Sequence, residues 1–311
     1  MKHTIKITLF LILMFFLAQI LGIAVLNSYI DVPQSKTMNA TVYKELPYDI
    51  ERPEMSPTIS VLYIIAGVII GTIIVLLIIK FRKPVVWKVW YFLAVLISLS
   101  IAFSAFISSG ISFIISGILA WLKTFQQYTY INIAAELFIY AGIAAIFVPV
   151  LNVISMLVLL SIISVYDMYA VWHSKHMVEM AKFQTDSKLF AGLAVPYNIG
   201  KNKKDVQKVD GKSKKSEKDS ETRSSSNISS ESRTAVLGGG DIAFALLFAG
   251  VILQSFGLWY AVIIAFSTTI SLAALFFMAE KDKFYPAMPF ISFGCFIGYA
   301  IVLAVKSAGW F

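Results

Sequence analysis

Residues 89–122 read VWYFLAVLISLSIAFSAFISSGISFIISGILAWL, a stretch without one charged side chain. A helix crosses a bilayer core with about 20 apolar residues, so this stretch is too long for one straight span. Ser108-Ser109-Gly110 offers a turn inside it, and the sequence therefore predicts a helix followed by a second, shorter helix. Such uniformly apolar runs fit helices rather than the alternating strands of a membrane barrel.

The composition of the whole chain agrees with membrane insertion. Of the 311 residues, 58% are hydrophobic and 14% are charged, whereas soluble domains are about half apolar and about a quarter charged. The formal net charge of +8 is typical of basic residues beside membrane helices. No nucleic-acid partner is expected, because no element of the chain matches a nucleic-acid-binding module.

The apolar runs predict an all-α integral membrane protein with about nine transmembrane helices. The chain divides into six N-terminal helices over 1–172, a hydrophilic loop over 173–233 and three C-terminal helices over 234–311. The loop is predicted to be largely disordered, because its core is mostly Lys, Ser, Glu and Asp, which bury too little apolar surface. The expected spans are 7–30, 58–79, two helices within 89–122, 128–147, 150–172, 235–256, 258–278 and 287–305.

The basic residues predict the orientation of these helices. Two lysines precede the first span, a basic group at 80–88 follows the second, Lys123 follows the fourth, and the lysine-rich part of the loop follows the sixth. Loops rich in Lys and Arg stay on the cytoplasmic side. The sequence therefore predicts a multi-pass protein of the cell membrane, with a cytoplasmic amino terminus, a cytoplasmic 173–233 loop and an outside carboxyl terminus.

Two aspartates lie inside the predicted spans at matching depth. Asp167 lies eight residues before Lys175, and Asp241 lies eight residues after Arg233. Each is therefore about 12 Å from a charged residue on the same side of the membrane. Ionisable residues inside a membrane are costly and usually functional. One protonated and one ionised carboxyl can activate water for peptide hydrolysis, so the pair predicts an aspartyl protease.

Residues that break regular helices accompany the aspartates. Gly238-Gly239-Gly240 precedes Asp241 and weakens the start of its helix. We expect an exposed backbone edge near 234–237 to pair with an opened substrate as an added strand. Pro286 and Pro289 prevent a regular helix where the last span begins.

The remaining polar residues of the spans predict no metal and no cofactor. Glu136 is interpreted as a buried structural residue that pairs with a polar group such as Asn132. His173 and His176 lie beside Lys175, without Cys or acidic residues at metal-ligand spacing.

At these residues the sequence resembles the presenilin and signal peptide peptidase family, and it looks most like the archaeal members. Tyr166-Asp167 is similar to the YD motif of the family, and Gly238-Gly239-Gly240-Asp241 fits its GxGD motif. Pro286-Ala287-Met288-Pro289 is similar to the PAL motif, although Gly239 and Met288 stand where the family usually has leucine. Three motifs in this order make the resemblance specific, and it covers the whole chain.

The resemblance implies a presenilin-like bundle and an aspartic endopeptidase that cleaves transmembrane segments or remnant signal peptides within the bilayer. Asp167 and Asp241 would be its catalytic residues, without a cofactor or metal. Self-association into a homo-oligomer stays open. The residues expected to support the site or bind substrate are Tyr166, Leu237, Gly238, Gly239, Gly240, Pro286, Ala287, Met288 and Pro289.

Two other functions use similar residues. Prepilin or preflagellin peptidases also carry GxGD and two aspartates, but they have fewer helices and no proline motif. A cation- or proton-coupled transporter or a leak channel would also retain paired acids inside the membrane. No internal repeat of the kind found in transporters is visible in the sequence.

Overall fold

The structure is a computed structural model that describes residues 5–38, 41–52, 56–80, 84–126, 128–174, 192–198, 232–279 and 285–308. Within these ranges the chain is mainly helical, with one small sheet. The helices are α1 (Ile5–Tyr29), α2 (Val32–Met38), α3 (Pro57–Lys80), α4 (Pro84–Ser104), α5 (Ser109–Trp121), α6 (Thr129–Phe147), α7 (Val153–Tyr169), α8 (Gly239–Phe256), α9 (Leu258–Met278) and α10 (Met288–Ser307). The strands are β1 (Gly192–Asn198) and β2 (Ser232–Gly238).

The predicted all-helical membrane fold is confirmed. Within the described ranges, eight helices are long and apolar enough to cross a membrane: α1, α3, α4, α6, α7, α8, α9 and α10. The helix α5 has only 13 residues and corresponds to the predicted short fourth helix. It continues into a π-helical turn over Leu122–Gln126.

Local sequence signals account for two of the predicted breaks, whereas the span predicted to begin at 235 begins at Gly239, after β2. The uncharged stretch 89–122 breaks between Ser104 and Ser109, close to the predicted turn. Pro149 lies in a 3₁₀ turn over Val148–Val150, which separates α6 from α7. The next helix is capped by Asn152, whose side chain accepts a hydrogen bond of 2.7 Å from the backbone N–H of Ser155. A capping side chain satisfies a backbone donor that has no partner inside the helix.

The helix α8 lies at the centre of the bundle, in contact with α1, α6, α7, α9 and α10. Of its span, 56% of the residues are buried within the protein, against 6% for α3. Gly22 of α1 faces the side chain of Leu246 so closely that a Cβ atom would collide with it. Gln19, which is fully buried, donates a hydrogen bond of 3.1 Å to the carbonyl oxygen of Ile242. Small residues and interhelical hydrogen bonds are what hold helices together in lipid.

The helices α9 and α10 form a close pair in the same manner. A Cβ atom on Gly294 would lie 2.7 Å from the Cβ of Ser271 and 3.0 Å from the Cα of Thr268. The backbones can approach because Gly294 has no side chain. Ser267 adds a hydrogen bond of 2.7 Å from its hydroxyl to the carbonyl oxygen of Gly294.

The segment between α1 and α3 packs against the end of α8 that lies away from Asp241. Thr41 donates a hydrogen bond of 2.7 Å to the carbonyl oxygen of Gln254, and the Tyr43 hydroxyl donates one of 3.1 Å to the Gln254 side chain. The guanidinium of Arg52 lies 5.6 Å from the centre of the Tyr43 ring. Burial raises the pKa of Tyr43 above its ordinary value, so this phenol stays neutral and keeps its hydrogen bond.

The two strands form an antiparallel hairpin-like sheet directly before α8. The register pairs Gly192 with Gly238, Leu193 with Leu237 and Asn198 with Ser232. The strand β1 was not predicted, because it lies inside the polar region that the sequence analysis interprets as a largely disordered loop. The other parts of that loop, 175–191 and 199–231, lie outside the described residues.

Candidate active site

Asp167 lies in the last turn of α7, and its side chain is buried. Its Oδ2 atom accepts a hydrogen bond of 3.1 Å from the backbone N–H of Met288, and the backbone of Ala287 also bonds to this carboxyl. One turn earlier along α7, the hydroxyls of Ser164 and Ser292 lie 2.7 Å apart and join α7 to α10. The carboxyl of Asp167 is therefore held against the start of α10.

The proline motif explains why backbone N–H groups are available at this point. Ala287 is the N-cap residue of α10, and Pro289 occupies the first turn. The first N–H groups of a helix have no carbonyl partner within the helix. Proline at this position loses no hydrogen bond, because its missing N–H belongs to that unpartnered group. The N–H groups of Ala287 and Met288 are left to bind the carboxyl of Asp167, and the preceding Pro286 is buried beside them.

Asp241 lies in the first turn of α8, three residues after the N-cap residue Gly238. Its carboxyl bonds to the backbone of Gly238, which is the return half of a capping box. A Cβ atom on Gly238 would lie 2.9 Å from Oδ2 of Asp241. Glycine at 238 therefore leaves room for the carboxyl as well as supplying its hydrogen-bond donor.

The structure brings the two predicted aspartates to one place. The helices α7 and α8 are in contact, and the carboxyls of Asp167 and Asp241 are close enough to interact electrostatically. Each carboxyl bonds to backbone N–H groups, from α10 for Asp167 and from Gly238 for Asp241. Two such carboxyls can share one proton, and a water molecule between them can form a hydrogen bond to each.

A comparison with known protein families shows where this chain belongs. The chain matches the family described as "Signal-peptide peptidase, presenilin aspartyl protease" over residues 12–308. The chain belongs to this family. The resemblance drawn from the three sequence motifs is thereby confirmed, and the protein is a multi-pass integral membrane protease of the aspartic type. The peptidase and transporter alternatives find no support in these matches.

Solved structures of a presenilin family intramembrane aspartate protease have a similar fold. One, in space group C222, aligns with a TM-score of 0.61 at 16% identity, covering 96% of this chain and 99% of that chain. Another, in space group P2, gives a TM-score of 0.58 at 15% identity, covering 95% and 96%. No curated protein matches the chain significantly by sequence.

The other residues predicted for the site of this protease differ in how deeply they are buried. Leu237 is buried in β2, and Gly239 is buried in the first turn of α8. Gly240 is exposed and has open space where a Cβ would stand. Tyr166 is 37% exposed, whereas the neighbouring Asp167 is buried, so the two residues of the YD motif face different surroundings.

A cavity of about 420 Å³ borders the glycine run. It is mostly apolar, and α3, α4, α6 and α8 surround it. Gly239 and Gly240 form part of its wall, so an occupant would contact the backbone that carries Asp241. Its aromatic and polar lining residues are Trp87, Trp90, Tyr91, Ser98, Glu136 and Tyr140.

Sequence reasoning missed an ion pair near this cavity. Lys123, which the sequence analysis counts among the basic residues on the cytoplasmic side, is 3% exposed and forms an ion pair of 2.7 Å with Glu136. Glu136 is buried as predicted, but its partners are Lys123 and Tyr140 rather than Asn132. The ion pair could have been predicted, because Lys123 and Glu136 are one base and one acid in neighbouring apolar runs that contain no other charge nearby.

The described residues contain no group of three or more His, Cys, Asp or Glu side chains that could hold a metal ion. His173 lies in a π-helical turn over Ala170–Ser174, and its ring stacks on Tyr169 at 5.6 Å between centroids. His176 lies outside the described residues.

Proposed function

We propose that this protease hydrolyses peptide bonds of membrane-spanning substrates, with Asp167 and Asp241 as its catalytic residues. The observation that carries this proposal is the meeting of two carboxyls at one end of α7 and α8. A water molecule held by both carboxyls would have a base on one side and an acid beside the substrate carbonyl. This is the constellation that aspartic peptide hydrolysis needs.

The reaction follows from the sharing of one proton between the pair. The ionised carboxyl takes a proton from the water, and the resulting hydroxide attacks the carbonyl carbon of the substrate. The protonated carboxyl gives its proton to the carbonyl oxygen, which produces a neutral gem-diol. The carboxyl that took the water proton then gives it to the amide nitrogen, while the other carboxylate takes a proton from one gem-diol hydroxyl. The C–N bond breaks, which releases the new carboxylic acid and the free amine and leaves one protonated and one ionised carboxyl. Because the protons belong to the pair, neither role is assigned to one aspartate.

The positions of β2 and of the cavity support transmembrane segments or remnant signal peptides as substrates. A helical substrate must be opened before water can attack, because its carbonyls are hydrogen-bonded internally. One edge of β2 is paired with β1. The other edge is unpaired among the described residues and can accept an opened substrate as an added strand beside Leu237 and Gly238. The cavity beside Gly239 and Gly240 is mostly apolar and fits the part of the substrate that remains helical.

The orientation belongs to the same proposal. The basic residues of the sequence support a cytoplasmic amino terminus, a cytoplasmic 173–233 loop and an outside carboxyl terminus. Asp167 and Asp241 then lie near the cytoplasmic end of their helices. Cysteines placed at positions 210 and 310 of a Cys295→Ala protein should react with an impermeant thiol reagent from opposite sides of sealed vesicles. Reaction of both from the same side would contradict this orientation.

Cleavage by the purified protein tests the activity directly. The protein in detergent is incubated with a model transmembrane peptide in ¹⁸O water, and the fragments are analysed by mass spectrometry. We expect one ¹⁸O atom in the new carboxylate, no fragments with Asp241→Ala, and normal cleavage by the control Glu45→Gln, whose side chain is exposed away from the pair. Fragments of equal yield with Asp241→Ala would refute the proposal.

A further inference from the structure

A buried cluster of charged and hydroxyl groups stands behind the cavity wall. Lys123 follows α5, and its Nζ atom lies 2.7 Å from Oε1 of Glu136 on α6, with side chains that are 3% and 4% exposed. The hydroxyl of Tyr140, one turn further along α6, donates a hydrogen bond to Oε2 of the same carboxylate. Tyr91 of α4 packs over this pair, with Lys123 Nζ 5.9 Å from the centre of its ring. Both oxygens of Glu136 are therefore engaged.

A buried ion pair is weak evidence for a purely stabilising role. Taking two charges out of water is costly, and replacing a buried ion pair by apolar groups of similar volume is often neutral or stabilising. Removing one partner is expensive, because the other charge is then left unpaired. A neutral replacement of both residues therefore separates a structural role from any other role.

The cluster lies next to the candidate catalytic pair. Glu136 and Tyr140 line the same cavity as Gly239 and Gly240, the two residues before Asp241. The helices α6 and α8 are in contact, and Tyr140 interacts electrostatically with Asp241. Tyr140 is thus the link between the ion pair and Asp241.

We propose that Lys123, Glu136 and Tyr140 form a positioning site for Asp241, an inference that rests on the proposed proteolysis by Asp167 and Asp241. A phenol carries one proton to donate, and Tyr140 donates it to Glu136. Toward its other neighbours Tyr140 offers only oxygen lone pairs. Because its proton is committed to Glu136, Tyr140 does not compete as a donor to the carboxyl of Asp241, which keeps its hydrogen-bonding capacity for Asp167 and water.

The ion pair makes this arrangement possible at the site. A third carboxylate without a partner would add a negative charge beside the two aspartates. Lys123 balances the charge of Glu136, so the cluster can fix the direction of the Tyr140 proton without adding net charge. Asp167 on α7 and Tyr140 on α6 interact electrostatically with Asp241, and α1 presents the neutral Gln19 beside it.

Tyr140→Phe tests the positioning role while keeping the ion pair. We expect kcat for a transmembrane peptide to fall by about tenfold or more, since small displacements of reacting groups are costly, with KM within about twofold of the wild type. The pH profile of kcat should change, because a neighbour of Asp241 is lost. The matched control is Tyr43→Phe, which removes a hydroxyl bonded to the far end of α8. It should leave kcat and the pH profile unchanged.

The double variant Lys123→Met/Glu136→Met separates positioning from folding. It removes both charges and the acceptor of the Tyr140 proton at similar volume, so Tm should stay near the wild type, whereas kcat should fall as in Tyr140→Phe. Wild-type kcat and pH profile in Tyr140→Phe would overturn the inference, as would a loss of kcat that Tyr43→Phe shares. The proposed proteolysis would survive an overturned inference, provided that the wild type cleaves and Asp241→Ala does not. Absence of cleavage by the wild type would overturn both.

Discussion

Alanine at position 238 should damage catalysis without damaging the fold. The backbone of Gly238 has φ −63° and ψ 139°, which any L residue adopts without strain. A Cβ atom at this position would lie 2.9 Å from Oδ2 of Asp241, whereas ordinary contacts begin near 3.4 Å. The carboxyl of Asp241 must therefore move by about 0.5 Å. Because a displacement of about 1 Å can cost about a hundredfold in rate, we expect kcat to fall by about tenfold.

Gly240→Ala is the matched comparison, two residues away in the same glycine run. A Cβ atom at 240 meets nothing within 4 Å, so the carboxyl of Asp241 keeps its position. Since Gly240 lines the cavity, the added methyl group would contact substrate and change KM rather than kcat. Alanine inside a helix stabilises by about 0.5–1 kcal/mol relative to glycine, so Tm should not fall.

The assay is peptide cleavage in detergent at several substrate concentrations, together with thermal unfolding of the same samples. The steric account expects a lower kcat for Gly238→Ala only, with both variants folded as stably as the wild type. Equal losses of kcat in the two variants, or a wild-type kcat in Gly238→Ala, would refute the reasoning.

Three further predictions follow from other contacts. Gly142→Ala should destabilise the protein by about 1–3 kcal/mol, because its Cβ would collide with the backbone carbonyl of Ser98. The control is Gly117→Ala, whose nearest contact would be 3.9 Å, and equal Tm values for the two variants would contradict the predicted collision. Met288→Leu should retain kcat within about threefold, because Asp167 is bound by the backbone N–H of residue 288 and not by its side chain; a complete loss in the cleavage assay would show that the thioether itself is needed. Replacing residues 199–231 by an Asn-Gly turn should preserve Tm and cleavage, because Asn198 and Ser232 are already paired across the sheet. A folded variant that does not cleave would show that the loop does more than connect the strands.

The spans and the aspartate pair were predictable because both depend on local sequence. Apolar runs of sufficient length predict a membrane helix wherever they occur, and Ser108-Ser109-Gly110 and Pro149 predict the breaks. Asp167 and Asp241 could be predicted to lie at the same depth, because their helices flank one loop. Each is eight residues from a charged residue at its end of that loop. The contact between Asp167 and the N–H groups of the proline motif was not predictable in detail, because it depends on how α7 and α10 pack.

The missed features arise from contacts between distant segments. The strand β1 exists by pairing with β2, and Leu193 and Leu237 are neighbours only in the folded chain. The ion pair of Lys123 and Glu136 joins two apolar runs, and each residue alone has a simpler interpretation, as a helix-end charge or as a polar core residue. Two opposite charges are buried together only when the helices pack, so the pattern around each single residue does not predict the pair.

The central claim is that Asp167 and Asp241 act as one unit, and the rates of Asn variants measure this most directly. Cleavage of one transmembrane peptide is compared for the wild type, Asp167→Asn, Asp241→Asn and the double variant, with Tm measured on each. Asparagine keeps the shape and removes the acid and base functions, so each single change should abolish cleavage while the protein stays folded. The double variant should be no worse than either single one, because residues that act as a unit are not additive. Cleavage near the wild-type rate by either folded single variant would contradict the account.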